Sequence, residues 1–535
     1  MSHPSIRAHR PLIMGRRGAV ASNHPVATAA GIETLRAGGN AADATVAVSL
    51  TLGVVEPHMS GLGGDGFFHV WSASGAKGST INGTGPAPAA ATIARYRAEG
   101  GIPNSGPLSV QTPGLVASLA ALHAAHGSLP WARLVAPAIE AARDGFASTH
   151  ALRHYTGENV QRLRPDARSR ATFLPDGAPP PLGALVVQPA LAGTLKRLAH
   201  AGPEDFYRGT LARDLAAAMQ AAGTLVAAAD LAAMQPVIAP PIAIPYRGFE
   251  VRQTPPNSMG FALLQMLRIV ERFDLAKLGW GSAELIHLLV EAKKRAFLDR
   301  ELHAGAEAPP LAALLSDARA AAHAATIGNR AADLPVRAMA EADTTYFCVV
   351  DADGNAVSAI QSLNSAFGSG VTAGETGIML NNRMTYWHLE EDHANALRPG
   401  KRVRHTMNAP MVMKDGRPWL VFGTPGADYQ VQVNLQVLVA IADFGLDPQQ
   451  ALEAPRWVSI QAGQDSNWPH RGEPTLQVEQ GLGEAVIDDL RARGHRVSVI
   501  PDLEGPCSVE AIRVLENGVR MAGSDPRRDG WAAAW

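Results

Sequence analysis

A chain of 535 residues, 46% hydrophobic and 18% charged, holds ample material for a large core, built as two to four domains or as one large α/β unit. Lys+Arg 47 against Asp+Glu 49 leaves a net charge of −2, so no global field points to nucleic acid or a membrane surface. The two cysteines, Cys348 and Cys507, stand in no metal-ligand spacing and supply no disulfide framework; two buried free thiols are the expected state.

From the N-terminus, Met1 to Pro11 is basic but is followed by no apolar run of the secretory kind. Ala41 to Val55, the longest apolar stretch, contains Asp43, Thr45, Ser49 and Thr51, and is too short and polar to span a bilayer. The cytoplasm is the expected location, or the periplasm if a leader has been removed. Gly18 to Ser22 predicts a strand and His24 to Ala37 a helix, stopped by Gly38-Gly39. Asn40 caps a second helix that ends near Val55 at Glu56-Pro57. Phe67 to Trp71 predicts a strand.

From about 113 to 330 Ala- and Leu-rich helices dominate: Pro113–His126, Trp131–Asp144, Ala190–His200, Thr210–Ala221, Met259–Phe273 and Ala283–His303. Proline-rich breaks fall at Pro165–Pro181 and Val237–Pro245. Residues 304–343 predict a mobile surface linker. Strand alternation returns at Tyr346–Val350, Ala356–Gln361, Pro410–Lys414 and Trp419–Phe422. Helices Val431–Phe444 and Leu482–Arg493 follow, then strands Val497–Ile500, Ser508–Val514 and Val519–Ala522. The pattern suits a sheet core with helices on its faces.

Thr344-Thr345 opens the Tyr346 strand. β-branched residues favour strands, which is the plain meaning of the pair. A threonine placed at a new N-terminus has a second meaning: its freed α-amine, of reference pKa about 8, becomes a base beside its own hydroxyl. Across an Asp353-Gly354 hairpin turn, Ser362 and Asn364 return beside Thr344. Gly423 to Asp428 is a glycine-rich turn before a helix, able to aim backbone N–H groups at an anion.

Other motifs carry less. Gly61 to Gly66 satisfies G-x-G-x-x-G, but a helix precedes it and a strand follows, the inverse of a dinucleotide site; a close-packed glycine turn remains. His388 to His393 lacks His-Glu-x-x-His spacing and predicts a solvated charged loop rather than a metal site. Lys401 to His405 predicts a solvated cationic loop, with the edge of a carboxylate pocket as the alternative. No cofactor is expected.

Taken together these blocks resemble the gamma-glutamyltranspeptidase family of N-terminal-nucleophile (Ntn) hydrolases. The likeness runs from Ala19-Val20-Ala21-Ser22 and Gly38 to Ala44, through Val54 to Pro57 and Ser60 to Gly64. It continues at Thr344-Thr345, Asp353 to Val357, Phe367 to Gly370, Leu380 to Asn382, Pro399 to Arg402, Gly423 to Gly426 and Ser524 to Arg527. It implies an α/β (α+β) αββα sandwich, two stacked antiparallel sheets between helical layers. It implies a precursor that cuts itself between Asp343 and Thr344. Residues 1–343 and 344–535 then stay together as a heterodimer, itself open to dimerising. Thr344 becomes the acyl-accepting nucleophile, Ser362 positions it, Asn364 contacts substrate, and Gly426-Ala427 form the oxyanion turn.

The departures concern the acyl pocket. Where glutathione-directed members carry an arginine for the glutamyl carboxylate, Thr84 is the nearest residue. Arg383 to Tyr386 replace the Gln-Met-Asp-Asp that follows Asn-Asn in the family, so Tyr386 stands in place of the acid that binds the ammonium. His405-Thr406 replace a Ser-Ser pair. The expected activity is hydrolysis of a small amide bearing a carboxylate and no ammonium, of oxamate or dicarboxylate-monoamide type. A gamma-glutamyltransferase or glutathione hydrolase with an altered pocket is the second expectation, and an uncleaved inactive scaffold the third. Neither nucleic acid nor membrane is an expected partner.

Overall fold

A computed structural model describes residues 8–305, 308–334, 343–464, 466–468, 470 and 473–535. Its centre is two seven-stranded antiparallel sheets. The first runs Trp531–Ala534, Gly18–Ser22, Asp343–Asp351, Ala356–Asn364, Asp65–Ser72, Lys77–Asn82, Val237–Ala239. The second runs Ile13–Gly15, Arg520–Ser524, Glu510–Val514, Arg417–Gly423, Met411–Lys414, Phe249–Gln253, Ile242–Tyr246. Each sheet mixes strands from both sides of residue 343.

Strand alternation sorts the layers. Tyr346, Cys348 and Val350 point between the sheets, where they meet Met411, Val421 and Ile512. Phe347 and Val349, one residue out of step, join the helices Pro25–Arg36, Ala41–Val55, Leu115–His126 and Trp131–Asp144 on the outer face. On the far side, Val251, Val412, Leu420 and Phe422 of the second sheet pack against the helices Gly260–Val270, Ala283–His303 and Gln430–Ala442. The result is the expected αββα sandwich. All 15 residues of Ala41–Val55 are buried, matching its unbroken apolar character. Its cap is fuller than a lone Asn40: Asn40 and Asp43 form a capping box, and Asp43 also accepts from Ser128 N at 2.9 Å.

Three local expectations need correction. The Val237–Pro245 break is two strands, Val237–Ala239 and Ile242–Tyr246, on outer edges of different sheets. Pro240-Pro241 falls between them, where the chain changes sheet and the proline donates no ladder bond. Within Pro165–Pro181, the helix Ala167–Phe173 forms because Asp166 caps it, accepting from Ser169 N at 2.7 Å. The supposed linker at 304–343 carries the helices Leu311–Leu314 and Asp317–Ala324; its residues 306–307 and 335–342 lie outside the described ones. Cys348 and Cys507 are buried and free, as expected. No helix among the described residues is long and apolar enough to cross a membrane.

Candidate active site

Thr344 and Thr345 are separated by strand alternation. Thr345 Oγ1 donates to Glu56 Oε2 at 2.6 Å and accepts from Asn23 Nδ2 at 3.3 Å. Thr344 turns the other way and donates from Oγ1 to Ser362 Oγ at 3.2 Å. A register shift between Asp343 and Thr345 lies at this point, and Asp343 pairs with Asn364. The Asp343 side chain lies outside the described residues. Thr344 is itself buried.

Ser362 and Asn364 do come back beside Thr344, across the hairpin. Ser362 Oγ accepts from Asn364 N at 2.7 Å. Asn364 adopts φ 87°, a left-handed conformation that asparagine tolerates. Its Nδ2 is within 3.2 Å of Asn382 O, and 2.9 Å from both Thr385 Oγ1 and Asn467 Oδ1. Its Oδ1 accepts from Arg383 Nη1 at 3.0 Å.

Arg383 is a compensated cation. Its Nε and Nη2 each lie 3.1 Å from the Asp65 carboxylate, a side-on bidentate pair. The Asp65 carboxylate also takes His405 Nε2 at 3.0 Å. A carboxylate carries no proton here, so the Nε2 proton belongs to His405 and its Nδ1 is the bare acceptor. Burial pushes the Asp65 carboxyl up, but Arg383 and His405 outweigh it and hold the group below its ordinary value. Burial lowers His405 to about 4, Arg383 acting in the same direction and Asp65 against it. Tyr386 lies under the Arg383 guanidinium, 4.7 Å from ring centroid to Cζ, and its hydroxyl is 2.9 Å from Thr406 Oγ1. Burial raises the Tyr386 phenol to about 12, so it stays neutral.

The Gly423–Asp428 turn leaves the second sheet where Gly423 packs on the Tyr346 ring; a Cβ there would sit 2.4 Å from Cε2. Gly426 and Ala427 have φ 115° and 48°. A Cβ on Gly426 would fall 2.3 Å from Cys507 Sγ, so glycine is required there, whereas Ala427 packs against Met384 and Tyr386. Among the described residues neither backbone N–H has a hydrogen-bond partner, as oxyanion donors require. Asp428 pairs with buried Arg300 and takes Ser466 Oγ at 2.9 Å, fixing the turn from behind.

Thr84 is not brought into this group. Its hydroxyl donates to Asn82 Oδ1 at 2.7 Å and accepts from Asn257 Nδ2 at 3.2 Å. It reaches the Asp65–Arg383–His405 cluster only indirectly, because Asn257 O accepts from the His405 backbone N–H. The Lys401–His405 run is no solvated loop: Arg404 and His405 are buried, Arg404 pairs with Glu301 at 2.6 Å, and Arg402 donates to Thr84 O at 2.7 Å.

The solvated-loop reading of His388–His393 also fails at its ends. Glu390, Glu391 and Asp392 are exposed, but His388 is buried between His393 and His470, with ring centroids 3.5 and 3.9 Å away. Glu301, His388 and His393 bring their ligand atoms within 4.8 Å. The His388 and His393 rings are only 11° from parallel, so a metal in the plane of one lies off the plane of the other. His393 Nδ1 accepts from Asn395 N at 3.0 Å, which leaves its proton on the Nε2 facing Glu301. The rings stack, and Glu301 Oε1 and His388 Nε2 have no hydrogen-bond partner among the described residues.

Asp65 and Asn467 were not among the expected site residues. Asp65 sits in the glycine turn set aside as a packing device. That turn does pack closely: Cβ atoms on Gly63 and Gly64 would lie 2.2 Å from Met379 O and 2.3 Å from Ser362 O. The available signal was register. Asp65 pairs directly with Ser362, so its side chain shares Ser362's face of the sheet.

The chain is similar to known proteins along nearly its whole length. The Gamma-glutamyltranspeptidase family pattern matches residues 27–535. The chain is 38% identical to the Glutathione hydrolase-like YwrD proenzyme of Bacillus subtilis, over 97% of this chain and 99% of that one. It is 34% identical to the Oxamate amidohydrolase proenzyme of Klebsiella pneumoniae, over 97% and 98%. The crystal structure of a cephalosporin acylase from Bacillus halodurans superposes with a TM-score of 0.91 at 34% identity, covering 100% and 99% of the two chains.

Proposed function

The chain belongs to the gamma-glutamyltranspeptidase family, whose members hydrolyse or transfer amide-linked acyl groups, and from that premise we propose a self-cleaving amidohydrolase acting through a Thr344 acyl-enzyme. Cleavage between Asp343 and Thr344 frees the Thr344 α-amine. That amine takes the Oγ1 proton as the oxygen attacks the substrate carbonyl. Ser362 holds Oγ1 in place. The oxyanion is received by the N–H groups of Gly426 and Ala427. The amine leaves with the transferred proton, and water repeats the sequence on the ester.

The acyl substrate we propose is a small amide with a carboxylate and no ammonium. The carrying observation is how the charges are engaged. Both Asp65 oxygens already accept from Arg383, and one also takes His405, so an ammonium meets no uncommitted acid there. Arg383 has five N–H donors, of which three are used, leaving two for a carboxylate. The likeness to an oxamate amidohydrolase points the same way. Glutathione hydrolysis is the second reading, favoured by the likeness to a glutathione hydrolase-like protein.

Two measurements test this. A denaturing gel of the freshly folded protein should show fragments of about 36 and 20 kDa, the 56.2 kDa chain divided in proportion to length; one intact band supports an inactive scaffold instead. A mass-spectrometric amide screen should then rank oxamate or a dicarboxylate monoamide above glutathione. Ordinary release of nitroaniline from a γ-glutamyl anilide would reverse the substrate reading.

A further inference from the structure

Asp65, Ser362 and Thr344 lie on three neighbouring strands, with Asp65 directly opposite Ser362 and Thr344 bonded to Ser362. From Asp65 a continuous chain of contacts runs through Arg383 to Asn364, and from Asn364 N to Ser362 Oγ. Every member is buried. A buried ion pair is weak support for stability, because the desolvation of both charges offsets most of their attraction. This one stands beside the candidate nucleophile, which suggests another use.

We infer that Asp65 is a specificity-determining residue of the acyl pocket: it cancels the charge of Arg383 and fixes that guanidinium side-on, so that the pocket reads an acyl group's carboxylate through directed hydrogen bonds rather than through net charge. The side-on bond occupies Nε and Nη2 of Arg383, and Asn364 takes Nη1. Each Nη keeps one further N–H. His405 stays neutral in its buried position, so Asp65 and Arg383 together make the charge of this layer zero. The same compensation recurs one layer out, where Arg300 pairs with Asp428 and Arg404 with Glu301. Arg383 also has anchors that do not depend on the Asp65 charge, namely Asn364 and the Tyr386 ring.

This inference rests on the substrate reading above, and removing the charges singly and together tests it. The readout is the ratio of kcat/KM for succinamate to kcat/KM for succinamide, a monoanion and its neutral isostere. Asp65→Asn leaves Arg383 uncompensated, and the ratio should rise at least tenfold through a lower KM for succinamate. The double variant Asp65→Asn/Arg383→Gln removes both charges, and its ratio should fall below that of the wild type. If Asp65→Asn alone fails to self-cleave, the double variant should restore cleavage, since it again balances the layer. A single variant that matures with an unmoved ratio, or both variants failing to self-cleave, overturns the inference by making Asp65 merely structural. A wild type that prefers succinamide, or cleaves only the γ-glutamyl anilide, sinks the substrate reading and this inference together; an unmoved variant ratio in an enzyme that does prefer succinamate sinks the inference alone.

Discussion

At the scale of single residues, the decisive distinction is between two adjacent threonines with the same chemistry. Thr345 is engaged by Glu56 and Asn23, whereas Thr344 faces Ser362. Thr344→Val should therefore abolish both self-cleavage and amide hydrolysis, while Thr345→Val still self-cleaves within about tenfold of the normal rate. A cleavage time course with N-terminal sequencing of the small fragment checks both; a fragment beginning at residue 345 would reassign the nucleophile. Ser362→Ala removes the acceptor for both Thr344 Oγ1 and Asn364 N. It should lower kcat by about 10²-fold, at the low end of what losing one polar catalytic partner costs. The return of Ser362 and Asn364 beside Thr344 was legible in the sequence, because hairpin spacing is local, whereas the parts given to Thr344 and the Gly426-Ala427 turn came from the family resemblance. Asp65 was not legible as a partner of Arg383, because 318 positions separate them.

At the scale of elements, periodicity located the long helices and about half of the strands to within a few residues, since one buried face imposes its own repeat. It failed where context overrides it. The Val237–Ala239 and Ile242–Tyr246 strands are short, proline-flanked edges, and the proline rule applied to sheet interiors misreads them. Trp531–Ala534 was missed, as an alanine run has no period of its own and becomes a strand only by pairing with Gly18–Ser22. The glycine turn before Asp65–Ser72 has a testable role at this scale. Gly64→Ala drives a Cβ to 2.3 Å from Ser362 O, backbone against side chain with no flexible group to yield. Self-cleavage should slow at least tenfold, as the Ser362 strand is displaced. Gly75→Ala, whose Cβ meets nothing nearer than 3.8 Å, should cleave at the normal rate. Equal rates in the two variants would remove the glycine turn from the site's support.

At the scale of the whole molecule, several buried histidines are held neutral. Burial lowers His24, His69 and His405 to about 4, and pushes His58 and His388 below their ordinary value as well. A lowered histidine pKa means the unfolded chain binds more protons than the folded one between about pH 6.5 and 4, so stability falls as pH drops through that window. Each fully buried case contributes on the order of 3 kcal/mol by pH 4. Glu510 opposes this, because burial raises its pKa and its contribution is lost as pH rises. Asp65 and Asp525 are held low, and their contributions are lost only below the ordinary carboxylate range. The histidines outnumber Glu510, so thermal melts at pH 7, 5.5 and 4.5 should show a falling midpoint; a level midpoint would show that these rings do not stay neutral. By itself the sequence determined the family, the sandwich, and Thr344 as the bet for nucleophile, since motifs and periodicity are carried by neighbours along the chain. Only the tertiary structure decided how the charge of Arg383 is met. Strand register places Asp65 opposite Ser362, and the turn at Arg383–Tyr386 and the segment carrying His405 bring both side chains onto its carboxylate. Net charge in a buried site depends on which distant residues the fold brings within a few ångströms, and one sequence does not record that.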